Sequence, residues 1–422
     1  MTVYKINNNK VANEVSLYIL ILLTIVLSRD TLVTSVKLGF YKSFIIYGAI
    51  IFIFMLLFLV NNHRNFKINK NSTLIFAIYL GLIMLSATIK MDFQMYIISI
   101  IFYIFLAYFF IYIFTFEDFL SKYSNIMVVV GLLSLICTYF IRIIIYRFGL
   151  GDQISLVTNS SGLRFFNFGV AYVVALPNYI RNFGIFREPG VYQFFLIIPL
   201  LYEVFIRKNK KRYFHIIILI ATLVSTFSLV GMVALALIAL IYFVELIINY
   251  KKDKVCYKRE LKIIVYLIVI SMVIFGLLYF LNDNFKGTIN QLVLKAVTSN
   301  DSSSSRMESL INNIKAFLSS PIIGRKFAYV QGLSGDNTNS LFSLFAIFGV
   351  FTGILTTILH YRMAKMISKN KIINIVIFTI LIMITNTQFL IGNSLYWIIL
   401  FSVLMKNRSS VHSKEIVRYK GI

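Results

Sequence analysis

Two polar stretches stand out in a largely apolar chain. One reads RNFGIFREPG over residues 181–190, and the other reads SSSSRMESLINNIKAFLSSPIIGRK over residues 302–326. The first holds Arg181, Arg187 and Glu188, with Arg164 shortly before it. The second holds Arg306, Lys315, Arg325 and Lys326, followed by Asp336 and Asn339. A guanidinium is a planar fork that grips phosphate or carboxylate through two hydrogen bonds, so several converging arginines suit a pyrophosphate. The plainer alternative for any one of them is a solvated loop charge or a side chain reaching the membrane interface. Glu188 is the only carboxylate between Asp152 and Glu203. It is either a base for an incoming hydroxyl or the ion-pair partner that orients an arginine. Pro189 is well suited to begin the helix that follows, and the free N–H groups of its first turn attract anions.

Other chemistries find little support. There is no phosphate-binding GxxxxGK[ST] loop, no GxSxG and no paired aspartates on a basic loop. Cys137 falls inside an apolar run and Cys256 in a basic loop, so no disulfide is expected. His63, His215, His360 and His412 are scattered, and metal ligands need clustering. Neither a metal nor a cofactor is expected.

The elements that position these residues are membrane helices. Of 422 residues, 59% are hydrophobic and 14% charged. A soluble domain has no need of so much apolar residue. Runs such as VSLYILILLTIVLS and LKIIVYLIVISMVIFGLLYFL approach or exceed the length that spans a bilayer. The expected fold is all-α and polytopic. About twelve spans fall near 15–36, 41–61, 72–89, 94–115, 124–146, 190–206, 213–228, 230–250, 262–281, 339–360, 372–388 and 391–406. Breaks are expected at STFSLVG (225–231) and TNTQFLIGN (385–393). The net charge of +25 would suggest nucleic acid in a soluble protein. Here it fits cytoplasmic loops rich in lysine and arginine, and no nucleic acid is expected as a partner.

RKNKKR, KKDKVCYKRELK, RMAKMISKNK and the basic tail 407–422 alternate to one side. Both termini are therefore read as cytoplasmic, in a cytoplasmic membrane. The chain then divides into helices over 1–146, an outer segment 147–189, helices over 190–281, an outer segment 282–338, helices over 339–406 and the tail. Long irregular segments in a compact protein usually carry function. Within the second, Met307, Leu310, Ile311, Ile314, Phe317 and Leu318 recur at helical spacing. Such an amphipathic helix suits the outer membrane surface. Arg306 stands near its start, where the helix dipole favours acids. Phe165, Phe166, Phe183, Phe186 and Tyr192 are open to two readings, stacking on sugar faces or ordinary packing at the interface.

The order of these features resembles a family. An outer segment ends in GIFREPG, STFSLVG breaks a helix pair, and Arg306 sits centrally in a large outer loop. PIIGRK follows at 321–326, then NTNSLFSLFAIFGVFTGIL. Over residues 160–360 this is similar to the O-antigen polymerase and ligase superfamily of bacterial surface polysaccharide assembly. The resemblance implies a GT-C-type membrane glycosyltransferase that needs no metal. Its substrates are undecaprenyl-pyrophosphate-linked oligosaccharides, as donor and as acceptor, at the outer face of the cytoplasmic membrane. It implies that arginines of both outer loops hold the pyrophosphate, here Arg181 or Arg187 with Arg306. Glu188 is the preferred base and Asp336 the second choice, with Arg164, Arg325 and Asn339 as further substrate contacts. The ligases carry a His-Asn pair before the tenth span. The corresponding place here is Thr338-Asn339, which favours a polymerase, with a separate chain-length regulator as its expected protein partner. A lipid-linked oligosaccharide flippase and a non-enzymatic assembly anchor are the rivals. No internal repeat of the kind that transporters show is visible.

Overall fold

The computed structural model describes residues 8–28, 31, 45, 48–53, 69–158, 162–169, 171–176, 181–209, 211–250, 280, 286–287, 290, 301–334 and 337–406. The spans expected near 41–61 and 262–281 lie mostly outside these residues, as do Cys256, Asp336 and the tail.

The described chain is mostly helical. Helix α1 is Asn8–Leu27, α2 Lys70–Lys90 and α3 Met95–Ile113. Helix α4, Phe116–Leu135, runs through a π-type turn at Ile136–Ile141 into α5, Arg142–Phe148. Then come α6 (Pro189–Phe205), α7 (Arg212–Ser225), α8 (Leu229–Tyr250), α9 (Asp301–Ser319) and α10 (Phe327–Ser334). The last four are α11 (Ser340–Phe348), α12 (Val350–Ile367), α13 (Lys371–Thr385) and α14 (Ser394–Phe401). Among the described residues four helices are long and apolar enough to cross a membrane: α2, α3, Phe116–Phe148 and Leu229–Ile248. Shorter apolar helices include Glu14–Val26, α6, α7 and α13.

Local chemistry sets several boundaries. Asn69 accepts the N–H of Asn71 to start α2. Thr115 accepts that of Asp118 to start α4, whose first turn holds Glu117 and Asp118 where the helix dipole welcomes acids. The expected breaks are present, because α7 ends at Ser225 and α8 begins at Leu229, while α13 ends at Thr385 and α14 begins at Ser394.

Helix α6 is the axis of the bundle. Every residue from Pro189 to Val204 is buried, as befits a helix apolar on all sides. It packs against α4, α7 and α8, while α13 closes on α8 and α12, and α14 lies on α3. Pro199 has no N–H for the carbonyl of Phe195. The Tyr123 hydroxyl donates to that carbonyl instead, at 2.8 Å.

Two findings differ from the sequence expectation. First, the outer segment carries a three-stranded antiparallel sheet of β1 (Leu156–Thr158), β2 (Arg164–Asn167) and β3 (Tyr172–Val174). Alternation is hard to read in strands of three or four residues, which is why an all-α reading overlooked them. Second, residues 339–360 do not form one helix. Gly349 has φ +84° and separates α11 from α12. A β-carbon there would lie 2.0 Å from the carbonyl oxygen of Ile322, so the PIIGRK turn occupies the break. An unbroken apolar run conceals such a kink.

Candidate active site

RNFGIFREPG is a fastened knot rather than a loose loop. Asn182 is fully buried. Its side-chain amide donates to Ser134 Oγ and Ser225 Oγ, both at 3.0 Å, and its Oδ1 accepts the N–H of Gly184 at 2.9 Å. The backbone N–H of Asn182 donates to the carbonyl of Ser225 at 2.9 Å. Arg181 Nε donates to the carbonyl of Thr226 at 3.0 Å. The STFSLVG turn and α4 thus hold the knot from two sides. Tyr172 N–H donates to the carbonyl of Gly184 at 2.8 Å and joins the sheet to it.

Glu188 is the residue before α6, in extended backbone, and Pro189 is the first helical residue. The Glu188 side chain is about half exposed, and Arg187 Nε stands 4.0 Å from its Oε1. Gly190 brings the next turn close to its neighbour, since a β-carbon there would lie 2.1 Å from Gln388 Nε2. Gln193 donates to Thr387 Oγ1 at 3.5 Å on the same side of α6. The Ser340 hydroxyl donates to the carbonyl of Gln388 and accepts the N–H of Leu390 at 2.6 Å. The start of α6, residues 386–390 and the start of α11 are therefore one assembly.

Arg306 reaches this assembly from α9. Ser309, Asn313, Asn337 and Asn339, all buried, form a hydrogen-bonded network beneath it. Asn337 Oδ1 accepts from Ser309 Oγ and Asn313 Nδ2, both at 3.1 Å, and from the N–H of Asn339 at 3.2 Å. Asn339 Nδ2 donates to the carbonyl of Arg306 at 3.3 Å and to Ser309 Oγ at 3.1 Å. Arg306 is half-buried, and that burial holds its guanidinium below the ordinary arginine value. The charge of Glu188 acts against the shift and that of Arg181 adds to it. The three groups thus share one electrostatic neighbourhood. Two arginines beside one carboxylate suit a ligand with concentrated negative charge and a hydroxyl to be deprotonated.

The other predicted residues fall elsewhere. Arg325 donates through Nε to Ser319 Oγ at 2.8 Å and through a terminal nitrogen to the carbonyl of Ser319 at 3.0 Å. It closes the far end of α9, roughly 20 Å from Arg306 at 1.5 Å per residue. Arg164 is exposed at the start of β2. Asn339 touches the backbone of Arg306 and supports it from below. Phe165, Phe166, Phe183, Phe186 and Tyr192 are all buried, so they pack the knot and offer no face to a sugar. His360 is buried between Thr356 and Thr385. A hollow of about 480 Å³ lined by Asn69, Ser72, Arg362 and Leu404 belongs to the other end of the bundle. Sequence reasoning missed Asn182, Asn313 and Asn337. The signal for Asn182 was its spacing from Gly184, the pattern of an Asx turn.

Residues 214–361 match the family model described as O-antigen ligase. The match covers about a third of the chain and supports membership in the O-antigen polymerase and ligase superfamily. No curated protein and no solved structure matches the chain. The stretch matched to the superfamily contains Arg306, Asn337, Asn339 and the 225–231 turn. The knot with Arg181, Arg187 and Glu188 lies before it, fastened to it through Asn182 and Arg181. The superfamily implies a membrane enzyme of polysaccharide assembly.

Proposed function

We propose that this protein is a polysaccharide polymerase. It moves a growing glycan from undecaprenyl pyrophosphate onto the next lipid-linked repeat unit, at the outer face of the cytoplasmic membrane. Arg306 and Arg181, with Arg187 beside them, neutralise the pyrophosphate, where the largest charge develops. Glu188 accepts the proton of the acceptor hydroxyl. The acceptor oxygen bonds to the anomeric carbon as its bond to the phosphate oxygen breaks, and undecaprenyl pyrophosphate departs with the electron pair. Arginine charge performs the neutralisation, so the reaction needs no metal. Docking of both lipid-linked reactants in one bilayer supplies much of the orientation.

The observation that carries this reading is that Asn339 ties the backbone of Arg306 to the start of α11, which Gln388 joins to the start of α6, and that the charges of Glu188 and Arg181 both act on Arg306. Thr338-Asn339 in place of the ligases' His-Asn pair supports polymer growth over transfer to a lipid core. The test is an assay of purified protein with a lipid-pyrophosphate-linked repeat unit in detergent with EDTA. Wild type is expected to give a ladder of products, Arg306→Ala to abolish it, and Glu188→Gln to slow it at least a hundredfold. A wild-type protein that makes no ladder but carries the lipid-linked unit across liposomes would be a transporter. Transfer only onto a lipid core would make it a ligase.

A further inference from the structure

Helix α9 is inside out for a helix in water. Among its described side chains Ser309, Asn313 and Ala316 are buried, while Met307, Ile311, Ile314 and Leu318 are exposed. At 100° per residue these four form one stripe on the side opposite the buried set. The buried polar face is satisfied by Asn337 and Asn339. The apolar stripe therefore needs another solvent.

Its surroundings identify that solvent. Beyond Leu318 the stripe continues into Ile322, which is also exposed. The PIIGRK turn is tied to the end of α2, which is long and apolar enough to cross a membrane, and to the start of α12. Ser86 Oγ of α2 donates to the carbonyl of Ile323 at 2.7 Å, and Val350 N–H of α12 donates to that of Pro321 at 2.8 Å. The adjoining faces of those helices expose Leu85 and Ile89 on α2 and Phe351, Ile354 and Ile358 on α12. The stripe is thus continuous with the apolar flanks of the bundle. Lys315 and Lys326 are both exposed, and lysines flanking an apolar stripe suit the headgroup region.

We infer that α9 lies in the membrane surface, with Met307, Ile311, Ile314 and Leu318 sunk into the hydrocarbon of the outer leaflet. The occupant of the stripe is bilayer lipid. Arg306 sits at the end of this anchor, so the anchor sets its depth at the level of lipid-borne phosphates. The inference needs only α9 and its neighbours and stands whether or not the polymerase reading does.

The experiment is spin labelling of the full chain in nanodiscs of zwitterionic and anionic phospholipid. Single cysteines replace Ile311, Ile314, Leu318, Glu308 and Lys315 in a Cys137→Ser, Cys256→Ser background. Labels at 311, 314 and 318 are expected to collide with oxygen at least threefold more than with a water-soluble nickel complex, and those at 308 and 315 to show the reverse. Nickel access at 311 and 318 equal to that at 315 would overturn the inference, because the stripe would then face water. Protection from both reagents would also overturn it, because protein would then cover the stripe, either residues of this chain or a partner. Should a cysteine variant fail to fold, Ile311→Trp and Leu318→Trp give the same decision. Their fluorescence is expected to be quenched by brominated acyl chains and not by aqueous iodide, and the opposite pattern would refute the anchor.

Discussion

A single arginine gains chemical meaning here from what holds it. Arg306 and Arg325 look alike in sequence, since both stand in the same outer segment near an amphipathic helix. Arg325 spends its nitrogens on Ser319, whereas Arg306 stands in the field of Glu188 and Arg181. The knot depends equally on small details. Gly184 has φ +55°, and a β-carbon there would lie 2.6 Å from the ring of the buried Tyr192. Gly184→Ala is therefore expected to destabilise the protein by about 1–3 kcal/mol through overpacking and its left-handed backbone. Gly81 on α2 has open space around it, so Gly81→Ala is expected to leave stability unchanged or slightly raised. Thermal unfolding in detergent checks the pair, and equal melting temperatures would refute the packing argument. Glu188, Arg181 and Arg306 stand out as candidates in the sequence because charge is scarce in an apolar chain. The supporting asparagines were not legible, because an asparagine reads the same whether it is solvated in a loop or buried in a network. The aromatic residues left two readings open for a related reason, since a sugar shelf and a packed core use the same rings, and their burial decides for packing.

At the scale of elements, α9 is held by polar groups where a soluble helix would use apolar ones. Asn337 fastens Ser309, Asn313 and Asn339 together, and Asn339 reaches the backbone of Arg306. Removing the Asn337 side chain leaves several buried donors without an acceptor, at about 1–3 kcal/mol for such a group. Asn337→Ala is expected to lower the rate tenfold or more through displaced positioning of Arg306. In an Arg306→Ala background the same change is expected to cost little further, because both act through one interaction. Additive losses in that double-mutant cycle would show that Asn337 serves stability alone. The helices themselves were legible from apolar runs, and the breaks at 225–231 and 385–393 from their polar residues. The break at Gly349 was hidden because FAIFGVFTG is apolar throughout. Its cause lies in the distant PIIGRK turn, whose backbone fills the place of a side chain.

Across the whole molecule the contacts sort into two ends. At one end Phe116 N–H donates to the carbonyl of Lys406 at 3.1 Å, Ser72 Oγ to that of Leu404 at 2.9 Å, and Glu203 pairs with Arg207 at 2.7 Å. At the other end Asp92 accepts the N–H of Phe327 at 2.6 Å, Lys90 donates to the carbonyl of Arg325 at 3.1 Å, and Thr31 pairs with Phe186. Each contact joins segments that the alternation of lysine and arginine assigns to the same side. The contacts say which segments share an end, and the distribution of lysine and arginine alone assigns one end to the cytoplasm. The candidate site lies wholly at the end assigned to the outside. A membrane-impermeant maleimide applied to intact spheroplasts is thus expected to label Ser304→Cys and Met91→Cys, both exposed at the site end. It is expected to spare Asn71→Cys and Lys406→Cys until the membrane is opened with detergent. The opposite pattern would put Arg306 and Glu188 in the cytoplasm, where the proposed donor and acceptor could not meet them. Labelling of all four in intact spheroplasts would mean that the two ends are not separated by a bilayer, and the assignment of spans would fall with the assignment of sides.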